Sequence, residues 1–241
     1  MMKGRIALVT GAASGIGGAT ATLLAERGAT VIRTDRSLTG DGKLEVTDEG
    51  EWERVVAAIL ATHGRLDILV HAAGISAGAP ITDTPLAEWR RVLAVNLDGA
   101  FLATRAGIRA MTPTGGAIVL VGSASGTRPA AGAAAYSTSK AGLAMLMRTA
   151  AKECRDRSPL IRVNAVSPAG VKTPLWSSMP FFQELVRQTG SEDSAYAAME
   201  QNGGGKFLEP RAVAEAIAFL ASDEAAQITG VELPVDAGYL L

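Results

Sequence analysis

The chain of 241 residues holds a single cysteine, Cys154, and two histidines, His63 and His71. One cysteine cannot close an internal disulfide, so an oxidising compartment is not required. Two histidines leave little room for a His-based zinc centre or a Ser-His-Asp triad. An excess of one charge is also missing: 23 Lys and Arg against 24 Asp and Glu leave a net charge of −1. Such a chain has no long-range attraction for nucleic acid or anionic lipid. No apolar run approaches the ~18 residues that a membrane span needs. Residues Met1 to Gly4 lead straight into a strand-like stretch rather than into a secretory signal. These absences predict a soluble, cytoplasmic protein with neither a nucleic-acid nor a membrane partner and without a metal centre.

Short apolar runs alternate with longer stretches of helical period. Strands are expected at Ile6–Thr10, Thr30–Thr34, around Leu44–Val46, at Leu66–Ala72, Ala117–Val121, Ile161–Ser167 and Val231–Val235. Helices are expected over Ser14–Arg27, from an N-cap at Thr47, from Thr84-Pro85 through Asn96, over Tyr136–Arg155 and over Arg211–Ser222. Near-continuous apolar strands separated by helices predict one doubly wound α/β domain over residues 1–241, a largely parallel sheet of about seven strands covered on both faces. The rhythm breaks after Thr173. An insertion at about 174–208 carries Leu175, Trp176, Met179, Phe181 and Phe182, then Asn202-Gly203-Gly204-Gly205. Insertions of this length usually serve as functional loops or lids.

Between the first strand and first helix lies Thr10-Gly11-Ala12-Ala13-Ser14-Gly15-Ile16-Gly17. In strand-turn-helix context these glycines have distinct uses. Gly11 permits a tight turn, Gly15 lets backbone approach a pyrophosphate, and Gly17 lets helix and strand pack closely. The free N–H groups and positive dipole end at Ser14 to Gly17 would face the phosphates. No Gly-Lys-Ser/Thr ends the turn, which disfavours a P-loop. Asp35 ends the second strand, 24 residues after Gly11, where a carboxylate holds the adenosine ribose hydroxyls and repels a 2′-phosphate. This favours NAD over NADP, although Arg33 and Arg36 flank it.

Tyr136 and Lys140 stand at i and i+4 of one helix and therefore share a face. A phenol with a pKa of about 10 is a poor proton carrier near neutrality, and a neighbouring ammonium lowers it. The pair is thus a candidate acid/base device.

Together, Thr10-Gly11-x-x-x-Gly15-Ile16-Gly17 and Tyr136-x-x-x-Lys140 resemble the short-chain dehydrogenase/reductase family. Asn96, Ser123, the segment Asn164 to Pro168, Val171-Lys172-Thr173 and Val235-Asp236-Ala237-Gly238 extend the resemblance along essentially the whole chain. It implies a Rossmann-type three-layer α/β/α sandwich and an oxidoreductase that moves a hydride between a nicotinamide cofactor and a secondary alcohol or ketone. By resemblance, Tyr136 exchanges the proton, Ser123 orients the substrate oxygen, Lys140 tunes Tyr136 and binds the nicotinamide ribose, and Asn96 holds a relay water. Pro168, Val171 and Thr173 would border the nicotinamide, while Ala72, Ala73 and Gly74 would approach the dinucleotide. Glu45 and Val46 would meet the adenine. Assembly as a homotetramer is implied too, with the apolar end Tyr239-Leu240-Leu241 suited to an interface.

The chain departs from the family pattern in places. His71 stands where an Asn usually braces the sheet, and it either replaces that brace by bonding backbone or weakens the fold locally. Glu45 replaces an Asp, and Pro168-Ala169 replaces Pro-Gly. The segment between Asp35 and Glu45 is short, so a helix on that face is expected to shrink to a loop. The apolar start of the insertion either covers an apolar cyclic alcohol or packs on the subunit body or a neighbour. Two rival functions remain at this stage: an NADPH-dependent carbonyl reductase acting on a 3-oxoacyl thioester, and a non-catalytic dinucleotide-sensing regulatory protein.

Overall fold

The computed structural model describes residues 2–157 and 160–241. Six parallel strands form one sheet: β1 (Ile6–Thr10), β2 (Thr30–Thr34), β3 (Ile68–His71), β4 (Gly116–Val121), β5 (Ile161–Pro168) and β6 (Glu232–Val235). Their spatial order is β2-β1-β3-β4-β5-β6. Side chains alternate across the sheet with period two. Leu8, Leu69, Ile118 and Leu120 enter the core on one face, with Trp52, Leu143 and Met147. Ala7, Val9, Val70 and Val119 enter the core on the other, with Leu24, Val213 and Ile217. Both faces are covered, which explains why the strands read as unbroken apolar runs.

The helices that cover the sheet are α1 (Gly15–Glu26), α2 (Glu49–His63), α3 (Leu86–Leu93), α4 (Gly99–Met111) and α5 (Ala134–Arg157). Three short helices follow in the insertion, α6 (Pro174–Ser177), α7 (Pro180–Thr189) and α8 (Glu192–Met199), before α9 (Pro210–Ala221). No helix among the described residues is long and apolar enough to cross a membrane.

Among the described residues the sheet has six strands, not about seven. The expected strand Leu44–Val46 does not form; only Lys43 bridges to Asp35. Leu44 and Val46 are buried as core residues, but the intervening Glu45 N–H donates to the Glu51 carboxylate at 2.5 Å rather than to a strand. Burial, not pairing, produced the apolar pattern. Between Asp35 and Glu45 only a single 3-10 turn, Gly40–Gly42, is present, in keeping with the expected loss of a helix. The cap of α2 is Asp48, whose side chain accepts from Glu51 N at 3.0 Å. Thr47, the expected cap, instead donates its hydroxyl to Glu45 Oε1 at 3.1 Å.

The chain leaves β1 toward β2 on one side, and β3 then pairs on the other. This reversal of winding opens a crevice beyond the carboxyl ends of the strands. Thr10, Thr34 and His71 lie in one register there.

Candidate active site

A cleft of about 900 Å³ occupies that crevice. At one end lie the glycine turn, with Gly11, Ser14, Gly15, Ile16 and Gly17, and the segments holding Asp35, Glu45 and Val46. Ala72, Ala73, Gly74, Ser123, Tyr136 and Lys140 also border it, as do Pro168, Val171 and Thr173, the last packed close to Gly15. The fold thus brings the expected site residues to one cleft, apart from Asn96, which stands just behind it.

The glycine turn is built for close approach of backbone. A Cβ on Gly17 would fall 2.2 Å from the Gly11 carbonyl oxygen, and one on Gly11 would fall 2.8 Å from Ala73 N. Gly11 and Gly15 also have positive φ, +65° and +54°, which a glycine adopts without strain. Ser14 caps α1 with extended backbone and makes no side-chain cap bond. The first N–H groups of α1 therefore keep no internal partner and are placed to receive an anion. These features fit a dinucleotide pyrophosphate.

Asp35 sits at the cleft edge, its Oδ1 accepting from Ser37 N at 2.9 Å and Ser37 Oγ at 2.7 Å. Arg33 turns away to Thr22 Oγ1 at 2.9 Å, whereas Arg36 borders the cleft. The Glu45 carboxylate is engaged by the N–H and hydroxyl of Thr47 at 3.3 and 3.1 Å.

Asn96 lies in a π-helical turn, Ala94–Asp98, inserted between α3 and α4. Such turns interrupt the regular ladder and recur at functional sites. The Asn96 amide holds the loop after β3 by two bonds: Ile75 N donates to Oδ1, and Nδ2 donates to Ile75 O, each at 2.9 Å. Nδ2 also donates to Ser139 Oγ at 3.0 Å, and Ser139 donates on to Tyr136 O at 2.7 Å. Both Asn96 amide hydrogens are used, so a water could be held by the side chain only at the second lone pair of Oδ1. A Cβ at Gly74 would stand 3.4 Å from Asn96 Oδ1 and 3.5 Å from Lys140 Nζ. The glycine keeps a space open within reach of both groups.

Lys140 is buried and donates to Val121 O at 2.8 Å. Burial lowers its pKa to about 8. Its Nζ is 5.7 Å from the centre of the Tyr136 ring. Burial raises the pKa of the Tyr136 phenol, and the neighbouring Ser123 hydroxyl opposes this only in part. The direction is opposite to that expected from a neighbouring ammonium, because desolvation is the largest influence on the phenol. Ser123 Oγ accepts from Ser125 N at 3.1 Å, which fixes its position at the end of β4.

Of the two expectations for His71, a brace by bonding backbone or a local weakening, its side chain does not make the bond to backbone. Its Nδ1 meets Thr10 Oγ1 at 3.0 Å, and Nε2 has no partner. Thr10 Oγ1 in turn accepts from Ala72 N and Ala73 N at 3.2 and 3.3 Å. With its lone pairs so engaged, the Thr10 hydroxyl donates to Nδ1, which places the ring proton on Nε2. Burial, with the Lys140 charge behind it, lowers the His71 pKa to about 3. His71 is a neutral core residue that acts with Thr10 to brace the sheet.

The insertion has a core of its own, Phe182, Ala195, Tyr196 and Phe207, with Trp176 and Met179 against it. Val171 and Leu208 pair at its base. Leu175, Trp176, Met179, Phe181, Met199 and Phe207 face the cleft. Sequence reasoning gave no role here to Thr10, Ser139 or Arg128, and it read Tyr239, which borders the cleft, as part of an interface. A signal existed only for Thr10, which begins the glycine motif.

A family model described as enoyl-(acyl carrier protein) reductase matches residues 11–240. The chain is 40% identical to the cis-4-hydroxycyclohexanecarboxylate dehydrogenase of Sinomonas cyclohexanicum, over 98% of this chain and 96% of that protein. It is 37% identical to the 3-oxoacyl-[acyl-carrier-protein] reductase of Thermotoga maritima, over 100% and 99% of the two chains. It is 38% identical to the cyclopentanol dehydrogenase of Comamonas testosteroni, over 98% and 96%. The ligand-free aldohexose dehydrogenase of Thermoplasma acidophilum superposes with a TM-score of 0.87 at 31% identity, covering 99% of this chain and 95% of that one. The chain belongs to the short-chain dehydrogenase/reductase family. It is an oxidoreductase that exchanges a hydride between a nicotinamide cofactor and a small alcohol or ketone.

Proposed function

We propose that the chain is an NAD-dependent dehydrogenase of neutral, largely apolar cyclic secondary alcohols, with Tyr136 as the acid/base. The observation that carries this reading is the convergence of Ser123, Tyr136 and Lys140 on one cleft with the glycine turn. A nicotinamide bound beside Val171 and Thr173 supplies the hydride exchange. The residues of the chain handle the proton and the geometry. Ser123 Oγ holds the substrate oxygen. Tyr136 gives its proton to a carbonyl oxygen in reduction and takes one from a hydroxyl in oxidation. Oxidation releases a proton, so it gains with rising pH. Lys140 and Asn96 hold a relay water in the space beside Gly74.

Asp35 at the ribose end supports NAD. The aromatic and sulfur-bearing wall of the insertion, acting as a lid, supports an apolar substrate. Among the described residues, Arg36 and Lys140 are the cations bordering the cleft, and neither lies on the lid. Relatives named for cyclic alcohols point the same way. Homotetrameric assembly is supported by the exposed Phe101 on α4 and Met145 on α5; sedimentation as a monomer would remove it. A cytoplasmic location rests on the single, buried Cys154.

The test is a cofactor-reduction screen over alcohols at alkaline pH, with NAD and NADP in parallel. Cyclic alcohols with NAD should give the highest rates. Tyr136→Phe should bind cofactor normally and lose turnover by about 10²–10⁴-fold. A preference for NADPH and a 3-oxoacyl thioester would instead favour the second reading, which Arg36 at the cleft edge and the Thermotoga maritima relative support. Tight cofactor binding without turnover of any alcohol or ketone would defeat both.

A further inference from the structure

Tyr239 lies near the end of the chain, outside the motifs that carry the chemistry, yet its side chain borders the cleft. The tail that presents it is closely specified. Asp236 Oδ1 accepts from Gly238 N and Oδ2 from Leu240 N, each at 3.0 Å. Between them Ala237 takes a φ of 51°, a conformation uncommon for a residue with a Cβ. The carboxylate of Asp236 thus folds the tail into a fixed turn with Tyr239 near its apex.

Two other segments meet Tyr239. Arg128, on the loop that follows Ser123, donates from Nη1 to Tyr239 O at 2.8 Å. Its guanidinium carbon also stands 4.5 Å over the Tyr239 ring centre, within range of a cation–π contact. On the lid side, a Cβ at Gly205 would fall 2.7 Å from Tyr239 Cδ2. Gly205 has φ +72° as well, so both backbone and space require a glycine there. The ring therefore rests on the returning arm of the lid, two residues before Phe207, which itself packs edge-on to Trp176 with ring centres 5.3 Å apart.

We propose that Tyr239 is a specificity-determining residue: a wall of the substrate pocket that Arg128 latches in place and that holds the lid arm at Gly205. The proposal rests on the reading of this cleft as the site of alcohol oxidation. A rigid aromatic wall sets the largest ring the pocket accepts. Tyr239 lies against the substrate side, because both its neighbours belong to the loop after Ser123 and to the lid.

The test compares kcat/KM for cyclopentanol and 4-tert-butylcyclohexanol in the wild type, Tyr239→Ala, Tyr239→Phe and Arg128→Met, with the KM for NAD measured alongside. Tyr239→Ala should raise the bulky-to-small ratio by about tenfold or more while the KM for NAD holds. Arg128→Met should move the ratio the same way by less, and Tyr239→Phe should keep the wild-type ratio. Limited proteolysis of the cofactor-free proteins is the second measurement. Cleavage within residues 200–206 should quicken in Tyr239→Ala and Arg128→Met. An unchanged ratio in Tyr239→Ala refutes the wall, and unchanged cleavage refutes the latch. If the wild type turns over neither alcohol, the functional reading fails, and the proteolysis alone decides the latch.

Discussion

Replacing Lys140 by Met should make the protein less sensitive to pH while abolishing turnover. Burial lowers the Lys140 pKa from 10.5 to about 8. Each pKa unit corresponds to about 1.36 kcal/mol, so carrying the ammonium inside the fold costs about 3 kcal/mol at pH 7. The sign follows from proton binding: the unfolded chain, with an ordinary lysine, holds the proton more tightly than the folded one. The penalty is complete below pH 8 and fades as the pH rises from 8 to 10.5. By pH 10 about 1 kcal/mol remains. Met keeps the length of the stem but leaves Val121 O without the donor now at 2.8 Å, a pH-independent loss of about 1–3 kcal/mol. The two effects nearly offset one another at pH 7. The pH dependence does not cancel: relative to Lys140→Met, the wild type should gain about 2 kcal/mol between pH 7 and 10. Urea unfolding of both proteins at matched concentration across that range reads the difference directly, since the remaining ionisable groups are common to both. A difference that stays flat with pH would mean that Lys140 is not desolvated, and the reasoning would fail.

His71→Asn should protect the protein against acid. With a folded pKa of about 3 against an ordinary 6.5, the wild type loses stability as the pH falls below 6.5, by about 2 kcal/mol at pH 5, and Asn should not; denaturation at pH 7.5 and 5 measures this. Gly17→Ala places a Cβ 2.2 Å from the Gly11 carbonyl oxygen, so the turn must open. Affinity for NADH, followed by fluorescence titration, should fall at least tenfold and Tm should drop, overpacking costing typically 1–3 kcal/mol. Asp35→Asn removes the carboxylate that disfavours a 2′-phosphate, and the NAD-to-NADP ratio of kcat/KM should fall by about tenfold. Cyclohexanol should be oxidised with higher kcat/KM than 4-hydroxycyclohexanecarboxylate, because an unpaired carboxylate at the apolar lid is costly to desolvate; the reverse order would require a cation at the lid.

The sheet and the meeting of Tyr136 and Lys140 in one cleft were legible because each leaves a local trace. Burial on both faces writes apolar runs into β1, β3, β4 and β5, and a helix writes Tyr136 and Lys140 four residues apart. The failed strand at Leu44–Val46 shows the limit of that trace. Leu44 and Val46 are buried as deeply as strand residues, but only the destination of the Glu45 N–H, the Glu51 carboxylate, separates a strand from an extended core segment. The pKa of Tyr136 was misjudged for a related reason. Sequence shows that a cation is near, but it does not show how much water the fold removes, and desolvation is the largest influence on this phenol.

The contacts around the insertion were the least legible part, and the reason is geometric. Its contacts join residues far apart in the chain with no shared period: Gly15 meets Thr173, Gly170 meets Phe207, and Gly205 meets Tyr239. In each pair a glycine matters for what it leaves room for, a methyl group, a ring edge or a ring, and a sequence records only the missing side chain. A Cβ on Gly170 would lie 2.9 Å from the Phe207 ring, so the position after Pro168-Ala169 cannot take a side chain while Phe207 is packed there. The family places its glycine directly after the proline; here it comes one residue later, where Phe207 needs the space. The departure is therefore coupled to the lid, and Gly170→Ala should act on the lid more than on the cofactor. It should loosen cleavage within residues 200–206 and raise the KM for alcohol, with a smaller change in the KM for NAD. An equal rise in both constants would place Gly170 with the nicotinamide wall and break the coupling.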